Sequence, residues 1–211
     1  MKAIRPFLLS IYDYTGNWAR PYIKAGWRVL LWDGQVEGDI LEGFTKLHMM
    51  VEKENGGKID GLLAAPPCTA FSASGARWWK EKDAIGSGQY PFNSFTEHMA
   101  ALTLIVLELV NLFKPDFWAL ENPVGRIERM IPEISPYRKM SFNPCDYGDP
   151  YTKKTILWGD FNENLKKSPV KPVEGSKMHR LPAGPDRARL RSATPSGFAR
   201  AFFKANNMEP S

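Results

Sequence analysis

A thiol held behind two prolines is the feature of this chain best suited to chemistry. In the run Ala64-Ala65-Pro66-Pro67-Cys68-Thr69-Ala70-Phe71-Ser72-Ala73-Ser74-Gly75, the apolar stretch 59–65 has the length and composition of a buried parallel strand, and Cys68 follows it directly. Proline fixes its own φ and lacks the N–H that a ladder needs, so Pro66 and Pro67 would end the pairing and present the thiol in one orientation. Open α/β sheets hold their ligands beyond the C-terminal ends of such strands. A cysteine there is a candidate nucleophile, acting as the thiolate. The competing reading is a small buried apolar residue, the commoner fate of free cysteine.

Neighbouring residues bear on that choice. Pro67-Cys68-Thr69-Ala70-Phe71-Ser72 resembles the Pro-Cys-x-x-Phe-Ser signature of the DNA carbon-5 cytosine methyltransferases. Glu121-Asn122-Pro123-Val124, after the apolar stretch 117–120, resembles that family's Glu-Asn-Val motif, and Asp146-Tyr147-Gly148-Asp149-Pro150-Tyr151-Thr152-Lys153-Lys154-Thr155 resembles its Tyr-Gly-x-Pro-Gln-x-Arg-x-Arg block. The three stand in the family's order. The resemblance implies S-adenosylmethionine as cofactor and cytosine in DNA, double- or single-stranded, as substrate. Carbon 5 of a pyrimidine is too weak a nucleophile to take a methyl group until something adds to carbon 6. The resemblance gives that addition to Cys68, and gives Glu121, carrying a proton, the hydrogen bonds to ring nitrogen 3 and the exocyclic amine. Burial at a strand end would favour the protonated carboxyl. Asn122 would hold the loop. The two arginine places of the third block hold Lys153 and Thr155, and Lys153 is the cation expected to serve.

The elements that must position these groups can be read along the chain. Residues 6–12 form a first strand, 13–17 a turn, 18–25 a short helix closed by Gly26, and 27–32 a second strand ended by Asp33. A strand, turn, helix, strand, acid order is that of a nucleotide-binding βαβ unit, although ordinary packing units share it. The family's Asp-x-Phe-x-Gly-x-Gly block falls on Ser10, Tyr12, Tyr14 and Gly16, which places Tyr12 against adenine. Glu37-Gly38-Asp39-Ile40 resembles its Gly-Asp-Ile piece. Tyr12, Asp13, Gly16, Asp33, Asp39, Ile40 and Pro66 are therefore the candidate cofactor contacts. The expected fold is α/β, a Rossmann-like methyltransferase sheet, mostly parallel, with helices on both faces.

Further elements follow. Residues 41–54 make a helix broken at Asn55-Gly56-Gly57, and 94–113 a long buried helix with Ser94 as N-cap and Glu97 completing a capping box. Residues 139–143 and 155–159 are the last strands. Thr194-Pro195 opens a final helix with threonine as cap, and Thr194-Pro195-Ser196-Gly197-Phe198-Ala199-Arg200 resembles the family's Thr-x-x-Glu-x-Ala-Arg motif, with glycine in place of glutamate.

Two stretches look toward nucleic acid. Arg77-Trp78-Trp79-Lys80 begins an expected mobile loop running through the glycine-rich residues 86–92, and adjacent tryptophans cannot both face one core, so at least one should be free to stack on a base. The competing reading anchors both on the protein's own body. Residues 162–193 hold eight lysines and arginines against three acids, which alone equals the chain's net charge of +5. This proline-broken segment reads as a phosphate-binding arm with Lys166, Lys167 and Lys171, joined by Arg126 and Lys154, or else as a solubilising surface loop. It stands where the family carries a target-recognition domain, and it is too poor in apolar residues for a core of its own.

Composition bounds the rest. A chain of 211 residues with 43% hydrophobic content suits one domain, here 1–161 catalytic, 162–193 the arm, and 194–211 a helix returning to the body. Two unpaired cysteines argue against a disulfide framework and for a reducing, cytoplasmic compartment; no metal, membrane partner or oligomer is implied. The longest apolar stretch, 99–113, is interrupted by polar residues and reads as a core helix. The leading function is S-adenosylmethionine-dependent methylation of cytosine carbon 5 in DNA with loose sequence specificity. The alternatives are modification of a free pyrimidine nucleotide or transfer of another group by the same thiol addition, and an inactive nucleic-acid-binding protein.

Overall fold

The computed structural model describes residues 5–86, 91–182, 184 and 187–207; most of the glycine-rich stretch expected to be mobile, 87–90, lies outside them. The sheet has six strands: β1 Phe7–Ile11, β2 Arg28–Trp32, β3 Gly61–Ala64, β4 Phe117–Pro123, β5 Arg138–Phe142 and β6 Thr155–Asp160. Their order is β2-β1-β3-β4-β6-β5. The first four run parallel, while β6 is antiparallel to both of its neighbours. The chain leaves β1 for β2 on one side and then crosses to β3 on the other. Such a reversal opens a crevice between the C-terminal ends of the strands concerned, here β1 and β3.

Eight α-helices are assigned among the described residues: α1 Arg20–Lys24, α2 Ile40–Asn55, α3 Trp79–Ala84, α4 Phe95–Phe113, α5 Ile127–Met130, α6 Lys177–Arg180, α7 Arg187–Ser192 and α8 Ser196–Asn206. The inner strands β1, β3, β4 and β6 are buried along nearly their whole length without alternation because both faces are covered, whereas the edge strands β2 and β5 are more exposed. On one face Leu9, Ile11, Leu62, Leu120 and Trp158 pack with Leu47 and Val51 of α2 and with Leu102, Val106 and Leu109 of α4. On the other Leu8, Leu63, Ala119 and Leu157 meet Tyr22 of α1 and Phe198 and Phe202 of α8. Counted from Phe95, α4 has 19 residues and is long and apolar enough to cross a membrane. One face of it is nevertheless part of this core.

Helix ends depart from expectation in instructive ways. Ser94 Oγ accepts from Glu97 N–H at 3.1 Å, but the Glu97 carboxylate reaches back to Asn93 N–H at 2.8 Å, one residue before the expected partner. At α8 the cap comes from outside the segment. Asp149 Oδ2 accepts from Gly197 N–H at 2.8 Å, whereas the Thr194 hydroxyl, expected to cap, is buried with no partner among the described residues. Gly197 passes so close to the Tyr147 carbonyl that any Cβ would collide with it, which accounts for glycine in the glutamate's place.

Candidate active site

Cys68 sits beyond β3, half-buried, on a loop whose carbonyls are almost all engaged. Its own carbonyl accepts from Phe71 and Ser72 N–H at 3.0 and 2.8 Å, closing a tight turn. Asn122 Nδ2 donates to Pro66 O at 3.0 Å, Lys82 Nζ to Thr69 O at 2.6 Å, and Arg126 Nε to Ala70 O at 2.9 Å. Ala73 N–H donates to Val124 O and Arg126 N–H to Phe71 O, both at 2.9 Å, so the loop is sewn to the stretch after β4. Gly125 allows that approach, since a Cβ there would strike the Phe71 carbonyl.

The second motif meets the thiol from the neighbouring strand. Glu121 lies inside β4, opposite Leu157 of β6, and not beyond the strand's end as the apolar run suggested. Its Oε1 stands 3.5 Å from Lys153 Nζ, and its Oε2, like Asn122 Oδ1, is buried with no hydrogen-bond partner among the described residues. Burial pushes the Cys68 thiol above its ordinary pKa; Lys153 and Arg191 pull it down and Glu121 pushes it up. Thiol, carboxylate and ammonium therefore act on one another. Glu121, expected to carry a proton toward the base, thus has the Lys153 ammonium as its neighbour.

A cleft of about 1070 Å³ runs from this group to the ends of β1 and β2, lined by Cys68, Lys153, Pro123 and Val124 at one end and by Tyr12, Tyr14, Asp33, Asp39, Ile40 and Leu102 at the other. Tyr12 takes a left-handed backbone at φ 60°, costly for a bulky residue and characteristic of functional sites. Its N–H donates to Trp32 O and its hydroxyl to Leu102 O, both at 2.7 Å, which fixes the ring. The Asp33 carboxylate accepts from Gln35 N–H at 3.0 Å and from Tyr14 N–H, and burial, with Glu37 nearby, raises its pKa. Asp39 caps α2 through Leu41 N–H at 2.8 Å and pairs with His98 Nε2 at 2.7 Å. Nothing local in the sequence marks His98.

Several expected contacts lie elsewhere. The Asp13 carboxylate is turned into the protein, accepting from Trp18 and Ala19 N–H at 3.1 and 3.0 Å, so it organises the turn before α1 and does not line the cleft. Gly16 shapes the same turn, and Pro66 is buried beneath the loop. Arg126, expected on phosphate, is buried. Its guanidinium makes two 2.7 Å bonds to Asp83, a third to Ala70 O, and lies 4.7 Å over the Trp79 ring. Trp79 is thus an inward anchor, whereas Trp78 is 44% exposed and lines the cleft with Arg77. Of the stretch expected to be a mobile loop, the first part is helical, residues 77 and 78 ending a 3-10 segment, Ala73–Trp78, and α3 following; Lys80 is exposed outside the cleft.

The basic segment is not a free arm. Ser168 N–H donates to Asp146 O at 3.0 Å, Val170 N–H to Cys145 O at 2.9 Å, Glu174 N–H to Pro150 O at 2.9 Å, and Gly175 O accepts from Thr152 N–H at 2.8 Å. It is a strap laid along the third motif. Lys166, Lys167 and Lys171 are exposed on it and do not line the cleft, while Lys154, Arg187 and Arg191 do. Composition locates this charge; only the tertiary path separates the two groups.

No protein-family model matches the chain. Over 157 residues it is 27% identical to the type II methyltransferase M.DdeI of Desulfomicrobium norvegicum, a match covering 64% of this chain and 34% of that protein. The chain is similar to a type II methyltransferase. It spans about a third of that relative's length. Among solved structures it is similar to the Entamoeba histolytica methyltransferase EhMeth, with TM-score 0.45, 11% identity, and 86% of this chain and 61% of that one covered. A Spodoptera frugiperda DNMT2 variant gives TM-score 0.41 and 15% identity, with 81% and 54% covered.

Proposed function

We propose that the chain transfers a methyl group from S-adenosylmethionine to carbon 5 of cytosine in DNA through a covalent adduct on Cys68. The observation that carries this reading is the meeting of Cys68 and Lys153 at one end of a cleft, with the buried Glu121 carboxylate 3.5 Å from the Lys153 ammonium, while the other end has the chemistry of an adenosine site. Asp33 offers a carboxylate to ribose hydroxyls, and Tyr12, Ile40 and Leu102 offer apolar surface to a purine, so the side chains fit the cofactor. When bound there, S-adenosylmethionine supplies an electrophilic methyl group.

The chain's own residues do the rest. The Cys68 thiolate adds to carbon 6, which makes carbon 5 nucleophilic. The Lys153–Glu121 pair holds a proton beside ring nitrogen 3 and offsets the charge developing in the ring, and the unpartnered Glu121 Oε2 is available for the exocyclic amine. Asn122 keeps the Pro66 carbonyl, and with it the turn carrying Cys68, in place. Water then takes the carbon-5 proton, the carbon 6–sulfur bond breaks, and Cys68 leaves as the thiolate. Specificity is loose, because a strap without a core lacks the rigid scaffold that bidentate base reading in a groove requires.

Incubation with S-adenosylmethionine and an oligonucleotide carrying 5-fluorocytosine tests this. The intact mass of the wild-type chain should rise by that of the methylated oligonucleotide, and Cys68→Ser should give no adduct. Absence of adduct from the folded wild-type chain on single and double strands alike would refute it. Trapping by the free fluorinated nucleotide instead would move the substrate from polymer to monomer.

A further inference from the structure

The strap and the loop carrying the thiol meet at one guanidinium. Arg191, in α7, lines the cleft, and its Nη2 donates to Ser74 Oγ at 3.3 Å, in the stretch that follows Cys68. Its carbonyl accepts from Lys153 Nζ at 3.2 Å, the same ammonium that stands 3.5 Å from Glu121 Oε1. One residue thus holds the cysteine loop with its side chain and the third motif's lysine with its main chain.

Charge gives this contact a purpose beyond tethering. The groups acting on the Cys68 sulfur are Lys153 from the loop before β6, Glu121 from β4 and Arg191 from α7. Lys153 and Glu121 are paired with each other at 3.5 Å, and of the three charges Lys153 acts most strongly on the thiol. The Arg191 guanidinium adds a second positive charge to the one on Lys153. Arg77 and Lys82 on the cysteine-loop side, with Lys154 and Arg187, make the surrounding wall basic, and the acids Asp33 and Asp39 lie at the cofactor end.

We propose that Arg191 is a positioning residue of the methyl-transfer site, closing the strap against the Cys68 loop, holding Lys153 through its carbonyl and adding its own positive charge to the thiol end of the cleft. The segment that replaces a recognition domain thereby completes the catalytic end of the cleft. This rests on the function proposed above, but its test needs neither cofactor nor DNA.

The test is the pH dependence of Cys68 alkylation by iodoacetamide, in a Cys145→Ala background so that one thiol reports. The thiolate sulfur forms a bond to the methylene carbon, the carbon–iodine bond breaks and iodide leaves, so the rate follows the thiolate population. Arg191→Ala and Arg191→Gln should move the midpoint upward, slowing alkylation at neutral pH about two- to threefold, with the high-pH plateau unchanged. Arg191→Lys keeps the charge and should keep most of the midpoint. Superimposable profiles for wild type and Arg191→Ala would overturn the proposal, as would equal shifts in the alanine and lysine variants. A shifted profile in a chain that traps no fluorocytosine would remove methyl transfer and leave the role of Arg191 at the thiol standing. An unshifted profile with trapping intact would remove Arg191 alone.

Discussion

Replacing Arg126 by alanine should loosen the loop that presents Cys68 before it disturbs the sheet. The guanidinium makes two 2.7 Å bonds to Asp83, one of 2.9 Å to Ala70 O, one of 3.3 Å to Thr96 Oγ1, and covers the Trp79 ring. Without it the buried Ala70 carbonyl is left without a partner, a cost of about 1–3 kcal/mol. The Asp83 side chain is 43% exposed and rehydrates, so its ion pair is valued at the surface scale of about 1 kcal/mol. With about 0.5–1 kcal/mol for the ring contact, the total loss is about 2.5–5 kcal/mol. In urea the midpoint should fall by about 1–2 M at unchanged slope, followed by tryptophan fluorescence. Arg126→Lys should recover little, because an ammonium cannot bridge both Asp83 oxygens and the carbonyl. Acid supplies a second measurement. Arg126 holds the Asp83 carboxyl below its ordinary pKa, so its stabilising contribution is full above the unfolded value and disappears as pH falls through the folded one. The gap between wild type and Arg126→Ala should narrow below about pH 4, where free aspartate protonates. A change under about 0.5 kcal/mol at pH 7, within the range of ordinary surface substitutions, would refute this reasoning.

Other outcomes are open to direct measurement. Gly197→Ala should destabilise the chain by about 3 kcal/mol, since its Cβ meets main-chain atoms of Tyr147; an unchanged melting curve would mean that α8 can slide. Asp33→Ala should weaken S-adenosylmethionine binding by about 1–3 kcal/mol in calorimetry, and equal heats would move the ribose contact elsewhere. Neutralising Lys166, Lys167 and Lys171 together should weaken DNA binding about equally for all sequences and lower the salt slope by up to roughly 2–3 units, just under one unit for each phosphate that no longer meets a cation. A salt-insensitive preference for one duplex sequence would show that the strap reads bases.

What is legible in the sequence is what local pattern and covalent geometry dictate. The continuous apolar runs of β1 and β3 announce strands covered on both faces, and the double proline announces where β3 ends, because neither depends on a distant partner. The boundary of β4 is hidden for the complementary reason. A carboxylate and an asparagine after four apolar residues look like a strand's end, yet β6 pairs antiparallel with Glu121 and Asn122 and carries the ladder on to Pro123. Only that pairing shows the strand is longer than its apolar part.

Buried charge is the least legible, since topology assigns its partners. Arg126 meets an aspartate 43 positions away, and α8 takes its cap from Asp149, 48 positions before Gly197. No window along the chain contains either pair. The tryptophans show the limit from the other side: adjacency correctly requires Trp78 and Trp79 to part company, but only Arg126 decides which one turns inward. The strap is the extreme case. Its order comes from main-chain hydrogen bonds to residues 145–152, and every non-proline residue carries the same N–H and C=O whatever its side chain. A segment held in that way has the composition of a loose arm, and its attachment to the site can be found only from the path of the backbone.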